Sequence, residues 1–154
     1  MTDPIQISLS NEAAAPKWGE GNTLSSTNAG YQIHLSTGSE GDTLDQIQSS
    51  ARKVQSLGIK DVALSGDWSV EQQWAFYQGF VTAKNEQSVA WAEGEHSELN
   101  HRKVAFDWTR HVINLPPQDI YPLALANCAA EFITELAPNK VSHDIIMGED
   151  LLDA

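Results

Sequence analysis

The sequence predicts an α/β fold, and three observations carry that reading. Ile5, Ile7 and Leu9 alternate with Gln6 and Ser8, and Tyr31, Ile33 and Leu35 alternate in the same way, which is the period of a half-buried strand. Two later segments gather their apolar residues on one helical face. The order strand–helix–strand–helix leaves crossovers long enough for parallel pairing.

Between the first two strands, from Ser10 to Gly30, the composition is polar, and Ala13–Pro16, Gly19, Gly21 and Asn28 punctuate it around Trp18. Gly38–Asp42 closes the second strand with a loop. Thr43 and Gln46 have capping-box spacing, and Leu44, Ile47, Ala51 and Val54 mark the face of the first helix. Arg52 and Lys53 suit the negative end of that helix, and Gly58 is placed to cap it. Val62-Ala63-Leu64 reads as a short strand ending at Gly66. Ser69 with Gln72 repeats the capping-box spacing, ahead of Val70, Trp74, Tyr77 and Val81 on one face. Val89 to Trp91 reads as a further strand.

The rest of the chain is mainly helical in pattern. Ser97 is placed to cap a helix running to Leu115, with Ala105, Trp108, Val112 and Leu115 on one side and Leu99, Phe106 and Ile113 beside them. Pro116-Pro117 stops it, since proline lacks an amide hydrogen and disfavours helix in the residue before it. Pro122 suits the first position of the next helix, whose expected buried stripe is Leu125, Ala129, Phe132 and Leu136, and Pro138 ends that helix. Lys140–Met147 reads as a strand. Gly148-Glu149-Asp150 opens another helical element, and the stop at Ala154 reads as a truncation.

Composition narrows the function classes. Nine Lys and Arg stand against 21 Asp and Glu, a net charge of −12, so phosphate backbones and anionic lipid are repelled. Nucleic-acid and membrane-surface binding are therefore not expected. The acid is dispersed without a like-charge block, as on a solvated surface. The longest mainly apolar uncharged stretch, Ile120 to Ala130, is too short to span a bilayer, and no secretory leader pattern occurs. The expected location is cytoplasmic. A chain of 154 residues can bury a core without staples, and the single cysteine, Cys128, reads as an inert thiol in an Ala-rich helix.

No motif marks a reactive centre. His96 and His101 are five apart, which puts them on different sides of a helix; a zinc pair needs four. His111 follows Asp107 by four residues, the spacing of an exposed helix pair. His34 and His143 lie singly in expected strands. Gly19-Glu20-Gly21 and Gly38-Ser39-Glu40-Gly41 fit neither a dinucleotide fingerprint nor a P-loop and read as loop punctuation. Ser65, in Leu64-Ser65-Gly66, reads as a strand end, because no G-x-S-x-G turn surrounds it. Trp74, Phe76, Tyr77 and Phe80 could stack a ligand, but their spacing is that of a packed helix side, a core or an interface. No catalytic, cofactor-binding or metal-ligating residue is expected within this chain.

The informative stretch is Asp107-Trp108-Thr109-Arg110-His111-Val112-Ile113-Asn114-Leu115-Pro116-Pro117, followed by Pro122-Leu123-Ala124-Leu125-Ala126. It resembles the segment of leucyl aminopeptidases in which an Arg…Asn-x-Pro helix end leads into the first helix of the catalytic domain. Upstream, Ala51-Arg52-Lys53-Val54-Gln55-Ser56-Leu57-Gly58-Ile59-Lys60, Leu64-Ser65-Gly66 and Trp74-Ala75-Phe76-Tyr77-Gln78-Gly79 resemble the N-terminal domain of the peptidase B branch, as does Gly148-Glu149-Asp150-Leu151. The resemblance covers nearly the whole chain.

That resemblance implies a cytosolic, hexameric aminopeptidase that removes N-terminal residues from peptides. Two divalent ions, manganese or zinc, held by Lys, Asp and Glu, would activate the attacking water there. The family's Asn-Thr-Asp-Ala-Glu-Gly-Arg run and its earlier Lys- and Asp-containing glycine-rich segment are both missing here. The expectation is thus the non-catalytic N-terminal region of such an enzyme, serving assembly or access to the active site. Its partners would be its own catalytic domain and sister subunits. The implied layout is a small mixed sheet with flanking helices over residues 1–94, a connecting helix over 95–117, and the first helix and strand of a truncated catalytic domain over 118–154. The rival reading is a free-standing acidic binding or chaperone-like α/β protein, which size and charge suit equally well.

Overall fold

The computed structural model describes residues 3–12, 14, 15, 17, 22–36, 38–82, 87–148 and 150. Trp18, the Gly19-Glu20-Gly21 run and part of the Gly148-Glu149-Asp150-Leu151 run lie outside them. The described elements are β1 (Ile5–Ser10), β2 (Leu24–Ser26), β3 (Gly30–His34), α1 (Glu40–Ser56), β4 (Asp61–Ser65), α2 (Val70–Phe80), β5 (Ser88–Ala90), α3 (Ser97–Ile113) and α4 (Pro122–Leu136). The chain is α/β, as expected. It divides into two compact units, Met1–Ala105 and Phe106–Ala154, so the boundary falls inside α3.

The first unit is built on one mixed sheet with strand order β2-β3-β1-β4-β5. β1 lies at the centre and pairs in parallel with both β3 and β4; β4 pairs in parallel with β5, and β2 runs antiparallel to β3. The register sorts the side chains by face. Ile7 stands opposite Tyr31 and Leu64, and Ile5 opposite Val62, which in turn faces Val89. Gln6, Ser8, Gln32, Ala63 and Ser65 alternate onto the other, polar face. Ile7, Ile33, Val62 and Leu64 are buried, together with Ile47, Ala51 and Val54 of α1 and Phe76, Tyr77 and Phe80 of α2. Helices α1 and α2 pack against each other. Parallel strands need crossovers, and α1 and α2 supply them, from β3 to β4 and from β4 to β5.

The starts of α1 and α2 follow capping chemistry, whereas Ser97 is the first residue of α3 and not its cap, its hydroxyl donating to Glu95 (2.9 Å), and the α1 start differs from expectation. Ser69 and Gln72 form the expected reciprocal box: the Gln72 amide donates to the Ser69 hydroxyl (3.2 Å) and the Ser69 amide donates to the Gln72 side chain (2.9 Å). At α1 the box is Ser39 with Asp42, not Thr43 with Gln46. The Asp42 amide donates to the Ser39 hydroxyl, while the Asp42 carboxylate accepts from the Ser39 amide (3.0 Å) and hydroxyl (2.8 Å). These bonds hold the Asp42 carboxyl below the ordinary aspartate range. Starting one turn earlier also places Glu40 and Asp42 at the positive end of the helix. The Gly38–Asp42 stretch is therefore only partly loop, because Glu40 to Asp42 are the first helical turn. At the other end Leu57 is the C-cap, and Gly58 follows with φ of 80°, a left-handed conformation that suits glycine.

Three further expectations are corrected. β2 lies inside the stretch read as polar punctuation; it forms because β3 offers a free edge on which Leu24 can stand opposite Ile33. Lys140–Met147 is not a strand, and His143 is not in one: residues 141–147 have no regular structure, since no neighbouring strand pairs with them among the described residues. Helix α4 does start with Pro122 at its first position, but its stripe is not buried throughout. Leu125 is 43% exposed and Leu136 54%, and Ala130 is the buried residue of this helix among those described.

In the second unit Trp108 stacks on Phe132 with ring centres 4.6 Å apart, and the Arg110 guanidinium lies 4.6 Å over the Phe106 ring. α3 ends at Ile113, where the Asn114 side chain donates to the Arg110 carbonyl (2.7 Å), ahead of Pro116 and Pro117.

Candidate functional site

The aromatic side of α2 is a packed face. Phe76, Tyr77 and Phe80 are buried, and Trp74 is half-buried. Phe76 meets Trp68 edge-on at 5.8 Å and stacks with Phe80 at 5.6 Å. Trp74 lies parallel to Tyr77 at 5.4 Å, and Trp91 leans on Tyr77 at a tilt, its ring centre also 5.4 Å away. The Lys103 ammonium sits 5.9 Å from the Tyr77 ring centre. These rings are already occupied by each other, and Trp68, Trp74 and Trp91 keep part-exposed surfaces.

Charge closes the same face. Arg102 of α3 donates to both oxygens of Glu71 on α2 (3.0 and 2.7 Å) and to Glu98 one turn earlier (2.6 Å). The guanidinium holds the Glu71 carboxyl below the usual glutamate range, and the two carboxylates push the Arg102 guanidinium further up. Below it Gln73, only 4% exposed, accepts from the Ala92 amide (3.0 Å) and donates to the Trp68 carbonyl (3.5 Å). This buried amide thus ties α2 to the segment after β5. Spacing on α3 makes the Glu98–Arg102 contact legible in sequence; Glu71 and Gln73 carry no local signal of their partners.

The histidines do not converge. His34 donates from Nδ1 to the Glu12 carbonyl (2.8 Å), because a carbonyl can only accept, which leaves Nε2 beside the Ser25 hydroxyl (2.7 Å). It fastens β3 to β2 and to the turn after β1. His96 has a buried Nδ1 without a hydrogen-bond partner, and His101, His111 and His143 are exposed. Among the described residues no group of three or more His, Cys, Asp and Glu could hold a metal ion. Cys128 is half-buried. Ser65 ends β4, and its hydroxyl donates to the Ile7 carbonyl (3.4 Å). Among the described residues no base is bonded to it.

Besides a small hollow of about 150 Å³ beside Glu71 and Trp74, two larger depressions lie among the described residues. One, of about 630 Å³, opens at the end of β4 and is lined by Gln6, Ser65, Asp67, Trp68, Gln72 and Glu93, among others. The other, of about 530 Å³, lies in the second unit along α4, between Asn127, Glu131, Glu135 and His143. Both hold carboxylates but no nucleophile–base pair. Among the described residues no helix is long and apolar enough to cross a membrane.

Comparison with known proteins gives this arrangement a family. A family model described as "Peptidase" matches residues 6–95, most of the first unit. Peptidase B of Yersinia pestis strain Pestoides F is 42% identical over 154 residues, which cover 97% of this chain and 35% of that protein. Peptidase B of Yersinia pseudotuberculosis serotype O:1b and Peptidase B of Yersinia pestis biovar Antiqua strain Angola match equally well. The chain spans about a third of the length of these curated relatives. Since the matched residues make up more than half of it, this chain belongs to that peptidase family.

Proposed function

We propose that the chain is the non-catalytic N-terminal region of a cytosolic metallo-aminopeptidase that removes N-terminal residues from peptides. The observation that carries this reading is the match of 97% of the chain to about a third of Peptidase B. In this reading residues 1–94 form an accessory α/β domain, 95–117 the connection, and 118–154 the opening of the catalytic domain. The accessory domain serves assembly of a hexamer or access to the active site. What supports such a role is a face held by aromatic stacking and the Arg102 clamp.

The two divalent ions of the proposed parent, manganese or zinc, would lower the pKa of the attacking water and hold the developing oxyanion. The described residues of this chain do not fit such a centre, because their His, Cys, Asp and Glu side chains do not converge. The ions belong, on this reading, to the rest of the enzyme.

The test is a chimera in which this chain replaces the matching segment of Yersinia pestis Peptidase B. The expected result is manganese- or zinc-dependent hydrolysis of aminoacyl anilides by the purified chimera, with the assembly state of the natural enzyme. A chimera that assembles normally yet has no such activity, or that is active without a metal ion, overturns the reading.

A further inference from the structure

The adjacent parallel strands β1 and β4 send the chain in opposite directions from their carboxyl ends. β1 leads to β2 and β3 on one side, and β4 leads through α2 to β5 on the other. Open α/β sheets bind ligands in the crevice that such a parting leaves. A cleft of about 630 Å³ opens at the end of β4 and reaches Gln6 of β1, a size that accommodates a small molecule. Its lining includes Asp67 from the turn before α2 and Glu93 from the segment after β5, with Gln6, Ser65 and Gln72 as further polar groups, and no Lys, Arg or His. Both carboxylates are exposed, and neither is bonded to another described residue. Trp68 also lines the cleft and is fixed in place. Its Nε1–H donates to the Ser65 carbonyl (3.0 Å), and its ring meets Phe76 edge-on at 5.8 Å, while part of its surface stays exposed.

We propose that this cleft binds a small organic ammonium ion of the polyamine type. Two uncompensated carboxylates attract a cation, and the net charge of −12 raises its local concentration. The same field repels phosphate-bearing ligands. An ammonium held beside an indole also gains from the negative face of the ring. Its N–H groups can donate to the Asp67 and Glu93 carboxylates and to the oxygens of Gln6 and Ser65. A bare divalent ion fits less well, because among the described residues no three His, Cys, Asp or Glu side chains converge on one point. A diammonium with an alkyl spacer needs no such convergence, since each end can take one carboxylate from a different segment. The whole site lies in the first unit, and it stands or falls independently of the aminopeptidase reading.

The test is a titration of the chain with butane-1,4-diamine and with spermidine, followed by amide NMR shifts at about 0.15 M salt, where the diffuse surface field is screened. The shifts should saturate and gather at residues 64–69, 72 and 93. Asp67→Asn and Glu93→Gln should each weaken binding about 10-fold, the loss of one charge-assisted hydrogen bond. Neither carboxylate is bonded within the fold, so urea unfolding of both variants should match that of the unaltered chain. Glu131→Gln, which removes an exposed charge from α4, should leave the affinity unchanged. A loss for Glu131→Gln as large as for Asp67→Asn overturns the proposal, because the diamine would then be held by the diffuse field alone. Displacement of the diamine by an equal concentration of magnesium, or the same shifts from glycerol, overturns it in favour of a metal or a polyol site. So does the absence of saturable shifts at residues 64–69 with either amine.

Discussion

Gly79 of α2 faces the Gln48 carbonyl of α1 so closely that a Cβ at position 79 would fall 2.3 Å from that oxygen. The Ala51 Cβ would be 2.9 Å away on the same side. The two crossover helices therefore meet backbone to backbone, and glycine is required by the approach. Gly79→Ala should force α1 and α2 apart and cost about 1–3 kcal/mol, the range for overpacking a close contact. Urea unfolding would measure it, and a loss below about 0.5 kcal/mol would mean that the helices can separate freely.

Trp74 and Tyr77 share a stack but not an environment. Tyr77 is 2% exposed and meets Trp91 as well, whereas Trp74 is half-buried. Tyr77→Ala should cost about 3–5 kcal/mol, and Trp74→Ala clearly less. Thermal unfolding of the two variants, compared side by side, would reverse this order if Trp74 were the true core residue.

The Glu71–Arg102 pair makes stability depend on pH in a definite direction. The folded state holds the Glu71 carboxyl below its unfolded value. Its contribution is therefore fully present above the ordinary glutamate range and is lost as pH falls through the depressed folded value. Both side chains are partly exposed, 48% for Glu71 and 30% for Arg102, so screening limits the effect to about 1 kcal/mol or less. Glu71→Gln should flatten the acid limb of a stability–pH curve by that amount. An unchanged curve would show the pair to be ornamental.

Gln73 offers a sharper case, because its amide is buried. Gln73→Leu keeps the volume but leaves the Ala92 amide hydrogen without its acceptor. The expected cost is about 1–3 kcal/mol, with faster hydrogen exchange at Ala92. Retained protection at Ala92 would point to another acceptor.

The isolated chain should not hydrolyse aminoacyl anilides when manganese or zinc is supplied. Titration calorimetry should find no tight, saturable site for either ion, although weak binding to the acidic surface is expected. Metal-dependent turnover by a preparation free of host peptidases would defeat this expectation.

Much of the fold could be read from local pattern, because local chemistry decides it. Ser69 with Gln72, Pro122 at a helix start and the alternation in β1 and β3 each act within a few residues. The misses are nonlocal or fall just outside a rule. Asp42 serves the Ser39 box in place of the Glu or Gln that the pattern seeks. β2 is too short to show a period, and its existence depends on the edge of β3. Residues 140–147 have a strand's composition, but a strand is made by its neighbour. On the functional side, the clamp between Arg102 and Glu71 joins residues 31 apart and leaves no trace in spacing.

The outermost strands of the sheet, β2 and β5, are three residues each, against six in the central β1. A foreign strand laid along either rim would find only a few main-chain groups to bond before the rim ended. Crowded in a cell, many copies of this unit would be protected from zipping together sheet to sheet. The tapered sheet is in this sense a safeguard against aggregation, supplied by strand length alone.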